Sequence, residues 1–231
     1  MTTASHHVHP SAVTRRRAQL GPPLLVPVLA YVALTIAYVA VNASTPQPTA
    51  SGAEVLRHDL DHAAQIKAGA FLLFASASPL AVTAAVLYRR LRTLGVTAPG
   101  GAISLVGGVL AASALALSGM FAWTGARLAS DASPALARVL ADLSFAAGGP
   151  GFSVTFALLI AGVSVPGLLA RLLPRPLAVI GLVIAVVGAL SSLTFAVYGF
   201  TYLVPVVRFG GTLWLIATAA LLPRTRRPAN D

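Results

Sequence analysis

The chain has 231 residues, of which 57% are hydrophobic and 10% charged. Its mean hydropathy is +0.83. Soluble domains carry about 25% charged residues, so the composition excludes a soluble enzyme, a disordered tail and a nucleic-acid-binding domain, and it indicates an integral membrane protein. The +10 net charge sits in short clusters between apolar runs. Such clusters mark cytoplasmic loops in contact with anionic lipid heads. Fifteen of the sixteen bases are Arg, the exception being Lys67, and there is no cysteine. Disulfides, thiolate metal sites and Cys nucleophiles are therefore excluded.

Residues 1–20 form a polar tail with His6, His7 and His9, then Arg15, Arg16 and Arg17. It is expected to be a solvated, disordered end. Six apolar runs follow, at about 22–42, 68–88, 102–124, 149–170, 177–198 and 202–222. Each is close to the roughly 20 residues a spanning helix needs. They are too continuously apolar for barrel strands, so the expected fold is all-α, a transmembrane bundle of six helices. The first run ends Val41-Asn42-Ala43, like a cleavage site, but its apolar stretch exceeds the 7–15 residues of a signal sequence. It is read as an uncleaved anchor. The Asn42-Ala43-Ser44 sequon is taken as chance.

The loop after the first span is irregular through Pro46 and Pro48 and helical from Ala53. Val55, Leu56 and Leu60 are expected to face the membrane surface, giving an amphipathic helix that leads into the second span. His58 and His62 lie four apart, the spacing with which one helix face grips zinc, with Asp59 and Asp61 as neighbouring oxygens. A zincin-type helix has Glu directly after the first His, where Asp59 stands here. The pair is read as a solvated face, and no metal or cofactor is expected. In the second span, Ser76 and Ser78 flank Pro79, where their hydroxyls are expected to satisfy backbone groups freed by the proline.

The third span repeats small residues at Ser104, Gly108, Ala112 and Ala116, and the fifth at Gly181, Ala185 and Ala189. Small residues every four positions let helix backbones approach. Packing within the chain is the expectation, with a homo-oligomer or membrane-protein partner as the alternative. Between the third and fourth spans, Ser133-Pro134 is an N-cap followed by Pro at the first helical position. Leu136, Val139, Leu140 and Leu143 then form an apolar stripe, and Arg138 and Asp142 share one side four apart. A second amphipathic helix on the outer surface is predicted. Gly148-Gly149-Pro150-Gly151 should break it, forming a loop into the fourth span. The alternative is a discontinuous helix whose free amides bind an anion.

Arg208 is the one charge inside a predicted span. Counted from Tyr202, it lies about 9 Å below the outer end at ~1.5 Å per residue. Two readings remain open. Its head group snorkels outward, or it faces the bundle and pairs with an acid, Asp142 being the favoured partner. Asp142, Gly148, Gly149 and Arg208 thus frame a candidate polar pocket at the outer surface. No Asp, Glu, His or Lys lies inside any predicted span, which counts against proton-coupled transport and intramembrane metalloproteolysis. Trp123, Tyr198 and Tyr202 are expected interface anchors.

Orientation follows from the loops. The N-terminal tail, the second-to-third loop (Arg89, Arg90, Arg92), the fourth-to-fifth loop (Arg171, Arg175) and the C-terminal tail, 224–231 (Arg224, Arg226, Arg227), hold eleven bases and Asp231. The opposite loops hold Arg57, Lys67, Arg127 and Arg138, with Glu54, Asp59, Asp61, Asp131 and Asp142. The basic side faces the cytoplasm. Six spans over 21–223, with both termini inside, fit this asymmetry.

Four segments occur in order along the chain: Asp142 to Gly151, Leu172-Leu173-Pro174-Arg175, Leu203 to Phe209, and Leu213-Trp214-Leu215. Together they resemble a group of six-span, mostly actinobacterial membrane proteins, domain of unknown function 4386. The resemblance runs from about the first span to Arg226. It implies a six-helix architecture in a bacterial inner membrane and no particular activity. Asp142 and Arg208 fall within its recurrent motifs. The function expected is that of a non-catalytic accessory, regulatory or small-ligand-binding component. The alternative is a transporter for a small anionic or lipophilic solute with Arg208 lining the site.

Overall fold

The computed structural model describes residues 23–42 and 46–224. The N-terminal tail with its histidines, Ala43 and Ser44 of the sequon, and Arg226, Arg227 and Asp231 lie outside the described residues. Seven helices follow in chain order: α1 (Leu25–Val41), α2 (Gly52–Asp61), α3 (Ala63–Thr93), α4 (Gly100–Gly125), α5 (Pro134–Leu169), α6 (Arg175–Phe195) and α7 (Tyr198–Leu221). No strand occurs among the described residues. Helices α3 to α7 are long and apolar enough to cross a membrane, which points to a multi-pass membrane protein; α1 is equally apolar but has 17 residues.

Helix α1 packs along α3, chain neighbours from α3 onward pack side by side, and α1 touches α7 to close the ring. The C-terminal half of α5 also meets α3 and α7, and α5 is the most enclosed long helix. The core is a stack of Phe152 on Phe156, ring centroids 5.0 Å apart, with Tyr31 tilted against Phe156 at 6.4 Å. Trp214 Nε1 donates to the Leu177 carbonyl at 2.9 Å, joining α7 to α6. The outer surface is strongly apolar. Phe71 is 67% exposed, Leu213 68% and Leu169 78%. A continuous skin of large apolar side chains around a well-packed interior suits lipid rather than water.

Small residues set the helix spacing. On α4, Ser104, Gly108 and Ala112 are buried, as their four-residue rhythm predicts, and Ala116 is half-buried. A Cβ on Gly108 would stand 2.3 Å from that of Ala84 on α3. On α6 the contact face is shifted. Gly181, Ile184 and Gly188 are buried while Ala189 is exposed, because the close approaches are made by the glycines, against Ser164 and Ala157 of α5. At the basic end, α3 stops where Gly95 takes φ 82° and the Val96 amide bonds back to the Leu91 carbonyl. This is a glycine C-cap. Pro79 lies inside α3 without ending it. Ser76 Oγ donates to the Leu73 carbonyl at 2.6 Å, one turn back, and not to the Ala75 carbonyl that the proline leaves free.

The Ser133 cap forms as its sequence predicts, its hydroxyl accepting from the Ala135 amide at 3.3 Å. Two expectations about this region are corrected. The glycine-rich segment does not break the chain. Ala147–Gly151 winds as a single wide π turn and α5 runs through it into the fourth span. In lipid an opened turn leaves amides and carbonyls without partners, so Gly and Pro remain helical here. The apolar faces of α2 and α5 are also placed differently. Val55 and Leu56 pack on Ala137 of α5, so that part of the apolar side of α2 is buried against protein, while Leu60 stays exposed. Leu136, Val139 and Leu143 of α5 point outward, 42–52% exposed. Helix α2 itself starts from a full capping box between Ser51 and Glu54, and a single residue, His62, separates it from α3.

Candidate functional site

At the acid-rich end of the bundle, α1, α2, α3, α4, α5 and α7 enclose a cavity of about 350 Å³. Asp142, Gly148, Gly149 and Arg208 all line it, as do Tyr38, Asn42, His58, Asp59, Arg138 and Ser118. The four predicted residues therefore meet in one place, though they are not connected as expected.

Asp142 does not pair with Arg208. It takes Arg138, one turn earlier on α5, through Nη2 at 2.7 Å and Nε at 3.0 Å. The i,i+4 spacing makes this partner local and always within reach. Arg138 also donates to two loop carbonyls, that of Ala50 at 2.6 Å and that of Pro48. It therefore ties the 46–51 segment over the cavity. Because the Arg138–Asp142 pair is half exposed, it contributes only about 0.5 kcal/mol. A double-mutant cycle with Arg138→Ala and Asp142→Ala, read as thermal stability in detergent, should show coupling of about that size. The corresponding Arg208 and Asp142 cycle should show none, and exchanging those two charges should rescue nothing.

Arg208 lies on a second π turn, Val206–Gly210. This interrupts α7 after a 3₁₀ turn over Tyr198–Tyr202. Its Nη2 donates to the Gly148 carbonyl, so a base from one π turn meets an acceptor from the other. Single π turns concentrate at functional sites because they re-aim a backbone group without ending the helix. The guanidinium carbon is 5.3 Å from the Phe152 ring centroid and 6.0 Å from that of Tyr38, within cation–π range. Arg208 thus lines the cavity.

Gly148 is needed for closeness. A Cβ there would meet Ser118 Oγ at 2.4 Å. Ser118 and Ser144 clasp α4 to α5, each hydroxyl donating to the other residue's carbonyl, at 2.8 and 3.0 Å. Ser118 falls on the buried face of α4 with Ala111 and Leu115, and that rhythm was the signal available for it.

His58 and His62 do come together, their rings stacked at 4.4 Å. Only His58 is on the cavity wall. Among the described residues no third ligand joins them. Burial first, and the His62 ring second, hold His58 below its ordinary value, against a smaller opposing pull from Asp61.

Asp59 was read from the sequence as solvated. It follows Val55 by four residues, and so turns to the same, inner side of α2. Burial pushes its carboxyl up to about 6. The sign follows directly: the unfolded carboxyl ionises near ~4 and the folded one later, so ionised Asp59 opposes folding. That cost grows between pH ~4 and about 6 and is complete above it. Asp59→Asn should therefore raise thermal stability at pH 8, by about 1 kcal/mol once solvent screening of a half-exposed group is allowed for. The gain over the parent should vanish below pH ~4, and a gain that grows on acidification would contradict the assignment. No protein-family model, curated protein or solved structure matches this chain.

Proposed function

We propose that this chain is a six-span protein of a bacterial inner membrane, with both termini in the cytoplasm and no catalytic activity of its own. It holds a small ligand in the cavity at the outer end and acts as an accessory or regulatory component. The resemblance to the domain of unknown function described above belongs to the same proposal. Anionic lipid heads at the arginine clusters and a membrane-protein partner or second copy are its expected contacts. The observation that carries the reading is the convergence of Arg208, Gly148, Gly149 and Asp142 on one cavity. Concave, partly apolar sites with a few converging polar groups are where small ligands bind.

Native mass spectrometry of the protein extracted in mild detergent tests it. A bound small molecule should be retained, and lost in Arg208→Gln. Protein without any Arg208-dependent adduct contradicts the reading. A second reading, a permease, is favoured by the two π turns that both contribute to the cavity wall, since π turns concentrate at functional sites. Proteoliposomes separate the two. Binding without flux of the retained molecule supports the accessory role, and flux that Arg208→Gln abolishes supports the permease.

A further inference from the structure

The cavity wall carries two opposite charges, neither balanced by a counter-ion among the described residues. Arg208 donates to a neutral carbonyl and lies between two aromatic faces. Among the described residues no carboxylate forms an ion pair with it, and Asp142 is engaged by Arg138. Asp59, on the α2 side, is opposed by burial alone; no base acts on it. Its Oδ2 sits against Gly125, where an added Cβ would be only 3.3 Å away. Burial holds His58, beside it, below its ordinary value.

Unpaired charges in a partly apolar enclosure are costly to keep. A ligand with the complementary pair of charges relieves both costs at once. We propose that the cavity binds a small zwitterionic group, its anionic end on Arg208 and its ammonium end on Asp59. Phe121 and Phe145 also line the wall and offer aromatic faces to the ammonium. The cavity volume, about 350 Å³, is at the small end of ligand sites. This proposal rests on the ligand-binding reading above and gives that ligand its chemistry. A phosphate-plus-ammonium group reaches such a site either as a free solute or as the head of a zwitterionic lipid.

The test uses the full chain in two arms. In neutral detergent, glycerophosphoethanolamine is titrated against glycerol phosphate and ethanolamine, which carry one charge each. In nanodiscs, native mass spectrometry compares retained phosphatidylethanolamine with phosphatidylglycerol. The proposal expects the zwitterion to be preferred by at least about tenfold in one arm, and that arm names the source. Arg208→Gln and Asp59→Asn should each remove about tenfold of that affinity. Asp59→Asn is the decisive variant, because it is expected to fold better than the parent. Arg208→Lys keeps the charge and should retain part of the binding, which guards against misfolding of Arg208→Gln. Equal binding of glycerol phosphate that needs Arg208 and ignores Asp59 overturns the zwitterion and leaves a ligand pocket. Absence of binding in both arms, with a retained adduct of other chemistry, also overturns it. Absence of any adduct overturns both readings.

Discussion

Gly162→Leu should abolish recovery of folded, monodisperse protein from detergent extracts. A Cβ at Gly162 would stand 2.5 Å from the Ser104 amide nitrogen and 2.6 Å from the Gly100 carbonyl oxygen. Both are backbone atoms of α4, and neither can rotate away. The reverse contact is equally tight, with a Cβ on Gly107 falling 2.4 Å from the Leu159 nitrogen of α5. In lipid there is little hydrophobic gain from pressing helices together, so close backbone packing is a main source of their association. Overpacking a core costs about 1–3 kcal/mol where side chains can give. Here the main chains must separate along the most enclosed helix, so the loss should exceed about 3 kcal/mol. Gly210→Ala is the control. A Cβ there has its closest contact at 3.7 Å, on an Ile184 side chain, and thermal stability should change little. A Gly162→Leu protein with parental melting behaviour would show that α4 and α5 do not meet in this way.

Arg138→Ala should cost about 2 kcal/mol and open the 46–51 segment to protease. One guanidinium serves Asp142 and the carbonyls of Pro48 and Ala50. Hydrogen bonds to charged groups contribute about 1.5–3 kcal/mol when removed singly. Part of that is recovered here, because the carbonyls gain access to water. Asp142→Ala removes only the ion pair and should cost no more than about 0.5 kcal/mol. The contrast is the informative result. If Asp142→Ala is as damaging as Arg138→Ala, the ion pair rather than the loop tether is what Arg138 supplies. Limited proteolysis between Gln47 and Ser51, followed by mass spectrometry, reads the loop directly.

Much of this fold was legible because lipid imposes a simple rule on the backbone. Apolar runs had to be helices, Ser133-Pro134 had to start one, and Ser104, Gly108 and Ala112 had to face another. The membership of the cavity was legible in part, since Asp142, the glycines and Arg208 are the polar or irregular residues near the acid-rich ends of their helices. The connections were not. Arg208 is 60 residues from the Gly148 carbonyl it meets, and no local pattern encodes that distance. Asp142 had a partner four residues away, and local geometry prevailed over the remote charge. The Gly148–Gly151 segment was misjudged by a rule suited to water, where an opened turn is readily solvated. The sequence offers Asp59 only as an oxygen beside His58 and His62, because a carboxylate on a polar loop helix looks solvated until α5 is packed against that helix.

In the proposed topology the arginine-rich end of the membrane bundle faces the cytoplasm and the cavity lies on the outer side. Because the chain has no cysteine, single-cysteine variants report position without background. Thr97, in the loop between α3 and α4, and Ser130, in the loop between α4 and α5, are both exposed. Treat intact bacterial cells expressing Thr97→Cys or Ser130→Cys with a membrane-impermeant maleimide. The account predicts that Ser130→Cys is labelled in intact cells and Thr97→Cys only after lysis. Labelling of Thr97→Cys in intact cells, or of neither position until lysis, would contradict it.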